Sequence, residues 1–104
     1  MPSGTLGQAS LAADTNTTVY TVPASKVGSV SVTISNTNPL TPAIIRLAVA
    51  ATSTPSAAEY LEFDTVLPAG SGFEKTGVVL SASKNLVAYS TAGNVSVNVY
   101  GFEE

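Results

Sequence analysis

The chain has no histidine, no cysteine and no tryptophan, and a single methionine. Without histidine it lacks the one side chain that titrates unperturbed near neutral pH, and with it most general-base and metal-ligand chemistry. Without cysteine there are no disulfides, thiolate nucleophiles or zinc–thiolate sites. Charge is scarce as well: 11% of residues are Asp, Glu, Lys or Arg, against about 25% in ordinary globular proteins. The four cations, Lys26, Arg46, Lys75 and Lys84, are scattered, and the net charge is −3. They form no basic stripe that could track a phosphate backbone, so nucleic acid is not an expected partner. The longest apolar run is residues 47–51, far below the ~20 residues that span a bilayer. The N-terminus lacks the basic start and apolar stretch of an export signal. Synthesis in a cytosol and no membrane partner are the expectations.

What fills the chain instead is thirteen Val, thirteen Thr, thirteen Ser and fourteen Ala, just over half of its 104 residues. Val and Thr suit a pleated, half-buried surface. Residues 27–36 alternate most clearly: Val30, Val32 and Ile34 point one way, and Ser29, Ser31, Thr33 and Ser35 the other. That period of two marks a sheet with one buried face. Further strands are predicted at 17–22, 43–51, 59–67, 73–81, 86–91 and 95–103, with an eighth in 5–12. Pro23, Pro39, Pro42, Pro55, Pro68 and the Gly70–Gly72 and Gly93 turns punctuate them. Gly77 inside a strand signals a bulge, and a short helix is expected within 56–61. Seven to eight short strands and no long helix predict an all-β, single-domain antiparallel β-sandwich, of jelly-roll or immunoglobulin-like type. Residues 14–104 make up the sandwich domain; residues 1–13, small and polar, are expected as an N-terminal arm or an extra strand.

Few residues offer chemistry. Glu62 and Asp64 stand two apart on a predicted strand, which would send both carboxylates from one face, roughly 7 Å apart. Such a pair could serve glycoside hydrolysis, but a solvated outer face opposite Leu61 and Phe63 explains it more simply. Glu59, Glu62 and Asp64 could offer oxygen ligands to calcium, yet no acidic loop of regular spacing surrounds them. A nucleophilic serine needs an activating base; without histidine only a Ser–Lys arrangement remains, and Ser81-Ala82-Ser83-Lys84 reads as turn chemistry. The Asn16-Thr17-Thr18 and Asn94-Val95-Ser96 glycosylation patterns are incidental in so Thr/Ser-rich a chain. No catalytic, cofactor-binding or metal site is expected, and no enzymatic activity. Most of Tyr20, Tyr60, Tyr89 and Tyr100 are expected as core or sheet-edge residues that place the ring inside and the hydroxyl at a partner, with a sugar-stacking platform as the functional alternative. The outward residues Ser29, Ser31, Thr33, Ala48, Ala50 and Val66 are small and nearly uncharged, which favours packing against other protein surfaces.

Three stretches resemble a family of small virion proteins of tailed bacteriophages. They are Val19-Tyr20-Thr21-Val22-Pro23-Ala24-Ser25-Lys26, Ile45-Arg46-Leu47-Ala48-Val49, and the ending Val97-Asn98-Val99-Tyr100-Gly101-Phe102-Glu103-Glu104. The likeness runs over about residues 15–104, through structural motifs of modest specificity. It implies a β-sandwich that assembles into the particle, with no catalytic residues and no cofactor. The implied role is capsid decoration (cement), as a homo-oligomer such as a trimer bound to the major capsid protein or other virion proteins. An N-terminal arm would then add a strand to a neighbour's sheet. A tail, baseplate or fibre component is the alternative, as is a carbohydrate- or receptor-binding sandwich with Tyr60 or Tyr89 in its site.

Overall fold

A computed structural model describes residues 3–104 and places eight strands in them. They are β1 (Ser3–Leu11), β2 (Thr17–Thr21), β3 (Gly28–Asn36), β4 (Ala43–Ala50), β5 (Tyr60–Leu67), β6 (Gly72–Leu80), β7 (Asn85–Ser90) and β8 (Val95–Glu103). The single helical piece among the described residues is a 3₁₀ turn, Ala57–Glu59. Met1 and Pro2, the start of the expected arm or extra strand, lie outside the described residues; Ser3–Leu11 is a strand paired antiparallel with β8.

The strands make two four-stranded sheets, ordered β1-β8-β3-β6 and β2-β7-β4-β5. Four antiparallel pairs, β1–β8, β2–β7, β3–β6 and β4–β5, follow one another along a single folded-back ribbon. Pairing of β3 with β8 and of β4 with β7 rolls that ribbon into two layers. This is jelly-roll connectivity, which decides between the two sandwich types expected. The Cα radius of gyration, 13.0 Å, is that of one compact domain of about 100 residues.

Alternation supplies the core. Val30, Val32 and Ile34 of β3 and Val95, Val97 and Val99 of β8 face Ile45 and Leu47 of β4 and Leu86 and Ala88 of β7. Leu11, Tyr20, Val22, Leu67 and Leu80 fill the ends. Three polar residues, Asn36, Ser90 and Glu103, are buried with them. No buried side-chain polar atom among the described residues lacks a hydrogen-bond partner, as a low-dielectric interior demands.

The strand edges follow a rule of their own. β1, β2, β5 and β6 border the sheets, and each carries its extra residues on the edge strand. These are Leu6 in β1, Val19 in β2, Thr76–Gly77 in β6, and two bulges in β5. The inner pairings β3–β8 and β4–β7 run without a shift. Gly77, with φ +70°, marks its bulge as the sequence suggests. Bulges twist an edge away from any further strand, and an inward-pointing charge disfavours one because pairing would bury it. Glu62 on β5 and Lys75 on β6 are such charges: they lie in register with the core residues Leu47 and Val32 and meet at 2.9 Å across the gap between the sheets.

Candidate functional site

The outer face of the second sheet concentrates the features that an ordinary solvated surface lacks. Its construction begins with the β5 bulge. Thr65 pairs with Ile45 and Glu62 with Leu47, which leaves Phe63 and Asp64 together opposite Arg46. Asp64 absorbs the kink at φ +50°, a left-handed conformation that Asp tolerates better than most residues. Both side chains meet Arg46. Its Nε donates to Asp64 Oδ1 at 2.6 Å, and its guanidinium carbon lies 4.3 Å from the Phe63 ring centroid. On the other side, from β7, the Tyr89 ring centroid is 4.8 Å away. Tyr60, opposite Ala48, sets its ring edge-to-face on Phe63, with centroids 4.8 Å apart. The Tyr89 hydroxyl donates to Asp14 Oδ1 at 2.9 Å. Asp64 holds the Arg46 guanidinium above its usual pKa, and the bond to Asp14 raises that of Tyr89.

Exposed apolar side chains lie on the same face: Phe63 (55% exposed), Val66 (61%) and Ile44. Ile44 and Val66 are register partners one row beyond Arg46. The β3–β4 loop, which leads into β4, exposes Leu40 (87%) between Pro39 and Pro42. That loop is tightly held. Asn38 Oδ1 accepts from the Leu40 and Thr41 amides, and Gly70 N donates to Asn38 O. Buried Asn36 donates through Nδ2 to Thr41 O (2.9 Å), Leu67 O and Pro68 O, and accepts from Asn38 N. A leucine displayed on a loop whose backbone is already ordered meets a partner without paying the entropy of ordering it.

The carboxylates considered for chemistry serve the scaffold. Glu62 and Asp64 do not share a face: the bulge at 63–64 breaks the alternation, so Glu62 turns inward to Lys75 while Asp64 turns out to Arg46. The expectation of a solvated face carrying both is corrected in the same way. Lys75, then the Thr65 hydroxyl, hold Glu62 below the usual carboxylate range. Glu59, the third calcium candidate, closes a capping box: its carboxylate accepts from Ser56 N at 2.8 Å and Ala51 N at 3.1 Å, which lowers its pKa. Among the described residues no three such ligands gather as a metal group. Ser81 and Lys84 are the ends of a turn, with Lys84 N donating to Ser81 O at 3.2 Å. Buried Glu103 accepts a 2.5 Å hydrogen bond from the Tyr20 hydroxyl.

Comparison with protein-family models, curated proteins and solved structures finds no match.

Of the outward residues expected to form an association surface, Ser29, Ser31 and Thr33 do lie on the outer face of the first sheet, and Val66 is exposed. Ala48 and Ala50 do not: both are fully buried. Tyr60 lies opposite Ala48, and the β4–β5 loop is drawn back by the Glu59 bond to Ala51. Among the tyrosines, Tyr20 belongs to the core, Tyr60 and Tyr89 to the outer face of the second sheet, and Tyr100 to that of the first. Sequence reasoning missed Arg46 and Phe63 as partners; the signal was the basic residue in the middle of an apolar strand.

Proposed function

We propose that this chain is a non-enzymatic structural protein of a virus particle, specifically a decoration (cement) protein of a tailed bacteriophage capsid that braces the shell by docking its faces onto neighbouring subunits. The carrying observation is the apolar face built by Ile44, Phe63 and Val66, on a scaffold whose bulged edges resist strand addition. Aromatic residues and Arg are enriched in protein–protein interfaces. Burying side chains exposed to this degree contributes on the order of 1 kcal/mol each. Five of the seven carboxylates, Asp14, Glu59, Glu62, Asp64 and Glu103, accept hydrogen bonds within the fold, an arrangement suited to holding shape. Jelly rolls are common among viral capsid domains, and equally among lectins, so the fold alone does not choose between them.

The rival reading, a glycan- or receptor-binding module, draws on the gathering of Tyr60, Phe63 and Tyr89 and on a depression of about 350 Å³ lined by Ala57, Tyr60 and Phe63. Sugar stacking needs free ring faces. Here the Arg46 guanidinium lies over Phe63 and Tyr89, and Phe63 packs edge-to-face with Tyr60, which favours the protein-docking reading. Quantitative mass spectrometry of gradient-purified particles tests the proposal. It expects the chain at a fixed stoichiometry to the major capsid protein. Absence from particles contradicts it, as does glycan binding that Tyr60→Ala or Tyr89→Ala abolishes while the fold survives.

A further inference from the structure

We propose that the seam between β5 and β6 is an acid-opened latch: the Glu62–Lys75 pair holds this side of the sandwich shut, and protonation of Glu62 frees the two edge strands while the rest of the roll stays folded. The two sides of the sandwich are closed by different physics. On one side the backbones of β1 and β2 touch. A Cβ on Gly7 would collide with the Val19 carbonyl, so no side chain fits between the strands there. Leu6, Ala9 and Val19 pack on the core from these strands, beside buried Leu11 and Tyr20. Neither strand carries a charged side chain, so that seam has nothing to titrate in acid.

On the other side the middle of the seam is polar. Leu67 on β5 and Phe73, Val78 and Leu80 on β6 pack on the core towards the strand ends. Between them Glu62 accepts from Lys75 Nζ at 2.9 Å and from the Thr65 hydroxyl at 3.0 Å. The Lys75 and Glu62 side chains are 35% and 27% exposed, so a proton reaches the pair without prior unfolding. Their register partners on the inner strands are Val32 and Leu47, both fully buried and apolar. Neutral Glu62 would therefore leave the Lys75 ammonium over apolar surface with no other anion to meet, an arrangement that costs far more than the intact pair. No other charge replaces Glu62. Arg46 and Asp64 pair on the outer face of the second sheet, and Tyr60 packs there on Phe63. Glu59 is held by the Ser56 and Ala51 amides. Glu74 is exposed in register with Thr33, on the outer face of the first sheet. Lys75 and Thr65 hold Glu62 below the usual carboxylate range. The latch is thus closed above about pH 4.3 and releases as pH falls through the lower folded value. The turn joining β5 to β6 stays tied, because Asn36 Nδ2 donates to Leu67 O and Pro68 O and Asn36 N to Ser71 O.

Hydrogen–deuterium exchange of the full chain, corrected for intrinsic exchange and followed from about pH 7 to about pH 2.5, tests this. Protection of β5 and β6 should fall about tenfold more than that of β1 and β2, which are edge strands too, while β3 and β8 keep theirs. Glu62→Gln should show the lowered β5–β6 protection already at neutral pH, with no further fall in acid. Asp64, Glu59 and Glu74 remain in that variant, so a lost response belongs to Glu62. Glu62→Leu combined with Lys75→Met fills the seam with apolar groups and should keep it closed at both pH values, since such replacements of ion pairs are often neutral or stabilising. Protection lost from all strands together, an equal acid response at β1 and β2, or a wild-type response at β5 and β6 in either variant would overturn the latch.

Discussion

Tyr20 and Glu103, 83 positions apart in the chain, form the one buried carboxylate–phenol pair among the described residues, and they make the fold sensitive to base. Burial, then the hydrogen bond to Glu103 and its charge, hold the Tyr20 phenol well above the ordinary tyrosine range. Folding therefore favours the protonated phenol. Its contribution is fully present below about pH 10, where tyrosine in the unfolded chain ionises, and is lost as pH rises beyond that. Denaturant melts between pH 7 and 11 should show stability falling above about pH 10. Tyr20→Phe should cost about 1–3 kcal/mol at neutral pH, because Glu103 loses its donor, and should flatten that alkaline limb; an unchanged limb would contradict the assignment. Glu62 carries the opposite sign. Lys75 and Thr65 lower its pKa, so its contribution is present above about pH 4.3 and fades as pH falls through the folded value. Glu62→Gln should make the acid limb shallower. Asn36→Ala should cost about 1–3 kcal/mol by leaving buried carbonyls without a donor, and should raise amide exchange in residues 37–42, the loop that presents Leu40.

At the scale of the elements, two glycines rank differently. A Cβ on Gly101 would lie 2.1 Å from Ser29 O, whereas one on Gly77 meets nothing within 4 Å. Both have φ in the left-handed region. Gly77→Ala should therefore cost about 1–2 kcal/mol, from the conformation alone, and Gly101→Ala distinctly more, because the β8–β3 ladder must open. Thermal melts of the two variants check the order. Strand positions were legible because Val/Ser and Val/Thr alternation and the Pro and Gly breaks are local signals: β3, β4 and β8 lie within a residue or two of where periodicity puts them. The Gly77 bulge was legible because glycine marks it. The bulge at 63–64 was not, since Leu61-Glu62-Phe63-Asp64 reads as unbroken alternation and nothing local says that Asp64 turns left-handed. That one irregularity separates Glu62 from Asp64 and assembles the Arg46 cluster, so the candidate site stayed hidden while the fold did not. The burial of Ala48 and Ala50 also depends on what packs over them, which a strand pattern does not encode.

The whole molecule is a two-layer roll with bulged edges. Low charge, a net of −3, leaves little long-range repulsion to oppose packing against other protein. Bulged edges and the inward Glu62–Lys75 pair leave strand addition unfavourable. The expected N-terminal arm has its described part, Ser3–Leu11, hydrogen-bonded to β8 of its own chain, so the backbone groups facing β8 are already paired. The proposed docking therefore falls to a face, and the second sheet carries the exposed apolar side chains Ile44, Phe63 and Val66 for it. An electron-microscopy map of the assembled phage particle tests this most directly. The account predicts ordered density for this jelly roll, with Phe63, Val66 and the Leu40 loop covered by a neighbouring subunit. Particles that lack the chain, or that hold it with this face open to solvent, would contradict it.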